Sequence, residues 1–343
     1  MALGYRPMRR KDVGRCVEII SANPILSRRY GRAISELQTT WLRLLGSDAF
    51  TGVVFEESLG GSSRLAGAGV SVFVSDVFVR EMKSPPFFWI GPEIVHRISR
   101  GDSPVLSDRE VREANTKDGL NLVGWHGAAS IEDARRVDFL NLMFGSFIEL
   151  HRGFLIKELL GQADSVEMLD AMSNNGGCFF DPELCEFGHF LPGSPEDIIN
   201  RPHLMGSTRE MEFAGTWLSG SSLFSRQPPQ FGFRRSEQRL LVAALPGGTD
   251  EELSAELKIS LSSVRKTWLS IYDRVAAHTP ELFREDLSEN GTPGRGKGKK
   301  HRLLSHLREH PEELRPLARR LLPRSAPLSA ASERGKSKAP PTD

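Results

Sequence analysis

The sequence predicts two units, a mixed α/β domain followed by a smaller all-α domain. The chain has 343 residues and 39% hydrophobic content, enough for two cores at about 100 to 200 residues per domain. Helix-type and strand-type patterns alternate through residues 1–216, whereas three capped helical patterns follow one another after residue 232. Alternating helices and strands imply a sheet with helices packed on it.

The α/β domain begins with a short extended segment, GYRPM, and a helix in KDVGRCVEIISA. Val13, Cys16, Val17 and Ile20 share one face of that helix, as its 3.6-residue period requires. The next predicted elements are a helix in ISELQTTWLRLL and strands in TGVVFEE, RLAGAGVSVFVSDVFV and GLNLVGWHG. A long helical pattern follows over residues 133–160.

Charge and cysteine content exclude several classes of protein. The formal net charge is +1, so a basic surface for nucleic acid has to be local. No apolar run approaches the roughly 20 residues that span a bilayer, and charged residues occupy the start of the chain where a secretory signal is apolar. We therefore expect a cytoplasmic protein without a membrane partner. The three cysteines are too few and too scattered for a disulfide framework.

Sequence reasoning identifies no catalytic residue, metal site or cofactor. Cys178, Cys185 and His189 lie close together in CFFDPELCEFGH, but structural zinc sites usually have four ligands. His126 and His151 are not next to a Ser or Cys nucleophile in the sequence. We expect structural roles for all five side chains.

Two segments flank the all-α domain, which is predicted over residues 233–280. Residues 217–232 have the Gly, Ser and Pro content of a linker. Residues 281–343 form a basic tail, predicted to be partly helical and partly disordered. From residue 291 onward the tail carries 13 Lys or Arg against 5 Asp or Glu. That excess suits DNA phosphates, although a solubilising end is an equal alternative.

Three helix starts are predicted in the all-α domain. Ser236 is expected to cap the first helix, Thr249 and Glu252 form a capping box for the second, and Ser260 caps the third. The expected buried positions are Leu240, Leu241, Ala244, Leu253, Leu257, Val264, Trp268, Ile271 and Val275. Two helices that are joined by a short turn, each with one apolar stripe, predict a helix-turn-helix.

The solvent face of the third helix carries two cations and several hydroxyl groups, which favours contact with double-stranded DNA over an ordinary solvated surface. Arg265 and Lys266 suit guanine edges or phosphates. The predicted DNA-binding residues are Thr249, Ser260, Ser262, Ser263, Arg265, Lys266, Thr267, Leu269 and Ser270.

Residues 233–275 resemble the DNA-binding domain of LuxR-type transcription regulators. The matching positions are Glu237, Gly247, Thr249 with Glu252, Leu253 with Ser254, Ile259 with Ser260, and Val264 with Arg265. The resemblance implies a transcriptional regulator in which Arg265 and Lys266 contact DNA. It also implies a homodimer, with RNA polymerase as a candidate partner. Thr267 and Leu269 depart from the family pattern and leave the target sequence open.

The opening GYRPMRRKDVGRCVEII resembles the first strand and helix of the GNAT acyltransferase fold. That family binds the pyrophosphate of acyl-CoA on backbone amides of a glycine-rich turn before a helix. The corresponding segment here, AASIEDARR, has two acids and no glycine. We therefore expect a domain that resembles the GNAT fold and senses a ligand or partner. The alternatives are an acyl-CoA-dependent N-acyltransferase with a DNA-targeting domain, and a helical unit that binds protein.

Overall fold

An eight-stranded sheet forms the centre of the first domain. The structure, a computed structural model, describes residues 2–59, 62–130, 133, 136–174, 177–213, 221–245, 247–283 and 297–318. The strands are β1 (Ala2–Pro7), β2 (Phe50–Leu59), β3 (Ser62–Val74), β4 (Leu120–Ala129), β5 (Ile156–Gly161), β6 (Cys178–Asp181), β7 (Glu186–Gly188) and β8 (Met205–Thr208).

Eleven described α-helices and one short 3₁₀ helix (Gly31–Ala33) belong to this domain and its C-terminal border. The α-helices are α1 (Val13–Ala22), α2 (Pro24–Tyr30), α3 (Ile34–Leu44), α4 (Asp76–Met82), α5 (Ile90–Ser99), α6 (Asp108–Thr116), α7 (Val137–His151), α8 (Val166–Asn174), α9 (Pro195–Asn200), α10 (Arg209–Phe213) and α11 (Ser221–Phe224). The prediction of a mixed α/β class is confirmed.

The strand order is β1-β2-β3-β4-β5-β8-β6-β7. Neighbouring strands are antiparallel except β4 and β5, which run parallel and are connected through α7. A parallel pair needs such a crossover because its strands enter the sheet from the same end. The pairing of β4 with β5 ends at Gly124 and Gly161, whereas β4 continues to Ala129. β4 therefore continues for five residues beyond the point at which β5 ends.

Side chains of the sheet pack into a separate core on each face. Along β2, Val54 is buried in the cluster that contains Ile20 of α1 and Trp41 of α3. Its neighbours Val53 and Phe55 belong to the cluster that contains α7 residues. Successive strand residues point to opposite faces, so α7 covers the face opposite to α1 and α3.

The helix predicted over residues 133–160 is wrong beyond residue 151. α7 ends at His151, and Gly153 follows with φ of +82°, a conformation that glycine adopts without steric cost. The chain then enters β5, in which Ile156, Glu158 and Leu160 are buried. The strand predicted over residues 64–79 also stops early, because Ser75 accepts a hydrogen bond from the Phe78 amide and caps α4.

Among the described residues, four α-helices form the second unit, here called the helical unit: α12 (Arg235–Ala244), α13 (Asp250–Leu257), α14 (Leu261–His278) and α15 (Lys297–Glu309). All nine positions predicted as its core are buried or half-buried. α12 begins one residue before Ser236, with Arg234 as the N-cap, so the predicted cap is wrong. The Arg234 amide is satisfied by the carboxylate of Glu237, at 2.6 Å.

Part of the predicted tail packs into the core of the helical unit. Leu303, Leu304 and Leu307 of α15 are buried there, together with Leu314 of a following 3₁₀ helix (Pro311–Leu314). Residues 324–343, whose composition predicts disorder, lie outside the described residues, as do residues 319–323 before them. So do residues 214–220, at the start of the predicted linker. Its described part contains α11, whose Leu223 and Phe224 are buried against the first domain.

Residues 309–318, here called the strap, connect the two units. The Asn115 amide donates to the carbonyl of Pro316 at 2.7 Å, and the Ala318 amide donates to Thr116 Oγ1 at 2.9 Å. Arg315 donates from Nε to the carbonyl of Arg152 at 2.8 Å. Since Leu314 is buried in the helical unit, one short segment is held by both units.

Candidate nucleic-acid interface

Three residues, Lys258 to Ser260, join α13 to α14, and both helices have well-defined starts. At α13, the Thr249 amide donates to Glu252 at 2.8 Å and the Glu252 amide donates to Thr249 Oγ1 at 3.2 Å, which is the predicted capping box. At α14, Ser260 Oγ accepts from the Ser263 amide at 3.2 Å. Lys258 has the left-handed φ of 54° that ends α13. The sequence therefore fixes where each helix begins.

An unbroken apolar stripe holds α14 against the rest of the helical unit. Val264, Ile271 and Val275 are fully buried, and Trp268 is 4% exposed. Their spacing of three or four residues places them on one side of the helix. The opposite side of α14 is consequently turned to solvent.

Glu237 of α12 is a buried hydrogen-bonding centre beneath α14. It is 2% exposed and accepts from Ser270 Oγ at 2.8 Å, while Arg274 Nε forms an ion pair with it at 3.2 Å. The Ser270 hydroxyl thus points into the unit, so this residue of the predicted interface is already hydrogen-bonded to the protein. Glu237 fixes the rotation of α14 about its own axis.

The other predicted residues differ in how free their side chains are. Ser262, Arg265, Lys266 and Leu269 are exposed on one face of α14. Within the described chain, Arg265 and Lys266 form no ion pair or side-chain hydrogen bond. The hydroxyls of Thr249 and Ser260 act as caps, Ser263 Oγ pairs with Ser260 Oγ at 2.8 Å, and Thr267 Oγ1 donates to the Ser263 carbonyl at 2.8 Å.

Leu269 is an apolar side chain in the middle of this polar face. It is 62% exposed. An exposed leucine one turn after two cations is common by itself, but on a helix that enters a major groove it can contact the methyl group of thymine. The face therefore combines two cations that have no side-chain partner among the described residues, the Ser262 hydroxyl, which lies 2.9 Å from Ser260 Oγ, and one apolar side chain.

The turn after β4, where an acyl-CoA pyrophosphate would be held in the GNAT family, contains a closed network of charges. Arg64 contacts Glu57 at 2.6 Å and Asp133 at 2.8 Å. Arg136 contacts the same two carboxylates at 2.7 and 2.9 Å. The hydrogen bonds from Arg64 and Arg136 lower the pKa of Glu57. Both arginines are thus used by buried carboxylates, and the described residues of the turn do not fit a pyrophosphate.

His126 has buried partners that the sequence did not indicate. Tyr30 Oη lies 2.6 Å from His126 Nε2, and Asp164 Oδ2 lies 3.0 Å from His126 Nδ1. Trp125 Nε1 donates to Tyr30 Oη at 2.8 Å, and Arg29 forms an ion pair with Asp164 at 3.2 Å. These residues are far apart in the chain, so no local pattern could have grouped them.

His151 is also fully hydrogen-bonded. Ser71 Oγ lies 2.8 Å from His151 Nε2, and His151 Nδ1 lies 2.7 Å from the carbonyl of Phe147. The carbonyl can only accept, so Nδ1 carries the proton and Ser71 donates to Nε2. Burial lowers the pKa of His151 to about 4. A neutral, structural histidine agrees with this geometry.

The cysteines occupy different environments. Cys178 is buried with its Sγ 3.5 Å from the ring nitrogens of His189, whereas Cys185 is exposed. In the part of the chain that the structure describes, no group of three His, Cys, Asp or Glu side chains is placed to hold a metal ion.

Comparison with known proteins gives no assignment. No protein-family model, no curated protein and no solved structure matches the chain. Among the described helices, none is long and apolar enough to cross a membrane. The arrangement of α13 and α14 is therefore the strongest indication of function.

Proposed function

We propose that this protein is a sequence-specific, LuxR-type transcriptional regulator whose helical unit binds double-stranded DNA through α14. One observation carries the proposal: Arg265 and Lys266 are exposed, without a side-chain partner in the described part of the chain, on a helix whose other side is buried. Together with the capped turn between α13 and α14, this supports a helix-turn-helix, in which the second helix enters the major groove.

Each type of side chain on this face has a role in the proposed complex. Arg265 pairs with the O6 and N7 atoms of guanine or with a phosphate, and Lys266 adds a phosphate contact. Ser262 is a short hydroxyl donor close to the DNA backbone. The amides at the start of α13 and α14 are already capped by Thr249 and Ser260, so we assign these two residues to shaping the turn.

We further propose that the first domain is a GNAT-like sensor and not an acyltransferase. The parallel pair β4 and β5, joined by α7 within an otherwise antiparallel sheet, supports the GNAT-like fold. Against acyl transfer, Glu57 and Asp133 would repel a pyrophosphate, and their arginine partners are already paired. The proposed regulator is cytoplasmic and dimeric, uses no cofactor, and has RNA polymerase as a further candidate partner.

Capture of genomic fragments by the purified protein, followed by sequencing, tests the proposal and identifies a target at once. The enriched fragments should share a motif, and binding to that motif should weaken as salt rises because phosphate contacts release counterions. A helical unit that binds protein would instead enrich no motif and show salt-insensitive association with a protein partner. That outcome would reject the regulator.

A further inference from the structure

The first domain contains a cavity of about 180 Å³ between the sheet and α7. It lies where the pairing of β4 with β5 ends, and Gly124 and Gly161, the last paired residues of the two strands, both line it. Because neither glycine has a side chain, the sheet leaves open space at this point. For comparison, an engineered apolar cavity of about 150 Å³ holds one benzene molecule.

The lining of the cavity is mainly apolar. Four methionines contribute from α7, α8 and β8, namely Met143, Met168, Met172 and Met205. Methionine is flexible and polarisable, and its sulfur makes favourable contacts with aromatic rings. Such a wall adapts to the shape of a ring compound better than branched side chains would.

Polar side chains also reach the cavity, and the two histidines and the glutamine among them are already engaged. His126 is bonded to Tyr30 and Asp164, and His151 to Ser71 and Phe147. Gln162 is bonded at both ends of its amide, accepting from the Ile90 backbone at 2.8 Å and donating to the Phe88 carbonyl at 3.0 Å. A charged ligand would therefore be buried without a free partner among these groups, at a large desolvation cost.

We infer that this cavity is a binding site for a compact, uncharged, largely apolar ring compound of about the size of benzene or indole. Volume sets the size, the methionine-rich wall favours a ring, and the internally paired polar groups exclude a charge. A role of this ligand as a regulatory signal rests on the proposed function. Binding of the ligand to the cavity does not depend on DNA.

The cavity is connected directly to the strap. Phe147 and His151 of α7 line it, and the next residue, Arg152, accepts a hydrogen bond from Arg315 of the strap. An occupant that shifts the end of α7 would thus act on the segment that both units hold. This route gives the regulator a physical means of responding to the ligand.

Calorimetric titration of the full-length protein with indole, without DNA, tests the site. Benzoate, which has a similar ring and a negative charge, is titrated in parallel. The matched variant is Gly161→Val: a Cβ at this position would lie 3.5 Å from the Gly124 carbonyl and 4.0 Å from Met172 Cε, so the side chain enters the cavity without a backbone clash. Gly4→Val is its control, because Gly4 lies in β1 with open space around it.

The wild-type protein and Gly4→Val should both bind indole. Gly161→Val should bind indole about tenfold more weakly or worse, because the added methyl groups occupy part of the cavity. Benzoate should not compete with indole for the wild-type protein. Thermal unfolding midpoints verify that each variant is folded; if Gly161→Val does not fold, Gly124→Ala replaces it. Absence of indole binding by wild type, equal binding by the filled variant, or tighter binding of benzoate would each overturn the inference. None of these results would affect the DNA-binding proposal, which is measured separately.

Discussion

Gly153 lies so close to the strap that a Cβ at this position would overlap the backbone nitrogen of Glu312. Gly153 follows α7 in the first domain, whereas Glu312 belongs to the 3₁₀ helix that is buried with the helical unit. Backbone packs on backbone at this contact, so no side-chain rotation could relieve a clash. The close approach of the two units therefore requires glycine.

We predict that Gly153→Ala loosens the docking of the two units. The control is Gly101→Ala, because Gly101 has a similar φ of +84° but nothing within 4 Å of its added Cβ. Both variants bear the cost of a left-handed alanine, about 1 kcal/mol, but only Gly153→Ala also displaces the strap. Amide hydrogen exchange in residues 309–318 should rise in Gly153→Ala alone. Equal exchange in the two variants would show that the contact does not hold the strap.

Arg265→Ala should weaken binding to the preferred DNA site by about 1 to 3 kcal/mol, if its guanidinium pairs with a guanine. Lys266→Ala should have a similar or smaller effect. Arg239→Ala is the matched control, since it removes an exposed cation of α12 that borders the cleft facing the first domain. Fluorescence anisotropy at several salt concentrations measures the three affinities. If neither α14 variant changes affinity, both residues lie outside the interface.

The helical unit was predictable because its signals are local. The capping box of Thr249 and Glu252 and the cap at Ser260 involve atoms three residues apart, and the stripe from Val264 to Val275 repeats at the helical period. Such patterns need no knowledge of the rest of the fold. The contribution of α15 was missed because its leucines are buried by contacts with residues distant in the sequence.

The first domain was harder to predict for the same physical reason. Residues 152–161 continue an apolar pattern that fits a helix, and only Gly153 marks the change to β5. The partners Tyr30 and His126 are 96 positions apart, so the fold alone brings them together. Ser270 was predicted to face DNA because of its position along α14. Nothing in the sequence indicated its hydrogen bond to Glu237.

Acid should destabilise the folded protein, in part because buried His151 has to take up a proton. Burial lowers its pKa from 6.5 to about 4, so the unfolded chain binds more protons than the native protein between these values. The contribution of neutral His151 to the free energy of unfolding is complete above pH 6.5 and is lost as the pH falls towards 4. This contribution is about 3 kcal/mol at most. Denaturant unfolding at several pH values should show a flatter dependence for His151→Gln. The exposed His301→Gln is the control, and identical slopes in all three proteins would contradict this assignment.

Acetyl-CoA should bind weakly or not at all. Its pyrophosphate would meet Glu57 and Asp133, whose charges are compensated by Arg64 and Arg136 within the protein. Calorimetry should therefore give no saturable heat at micromolar concentrations. A dissociation constant in the low micromolar range, accompanied by acyl transfer to an amine, would establish the acyltransferase instead of the sensor.

The basic end of the chain should strengthen DNA binding without reading sequence. Residues 319–343 carry six Lys or Arg against two Asp or Glu, and truncation after residue 318 removes them while keeping the buried Leu303, Leu307 and Leu314. Truncation after Thr292 would also delete these leucines. A change in DNA binding could then come from unfolding of the helical unit as well as from the lost charge.

Each phosphate that the tail neutralises contributes about 0.9 to the slope of log affinity against log salt on duplex DNA. The truncated protein should consequently show a shallower slope and an unchanged preferred sequence. Specific and scrambled duplexes are compared at four salt concentrations, and full-length protein with the six basic residues of this segment replaced by Gln separates charge from chain length. An unchanged slope would identify the segment as a solubilising end. A changed base preference would mean that the tail takes part in reading the sequence.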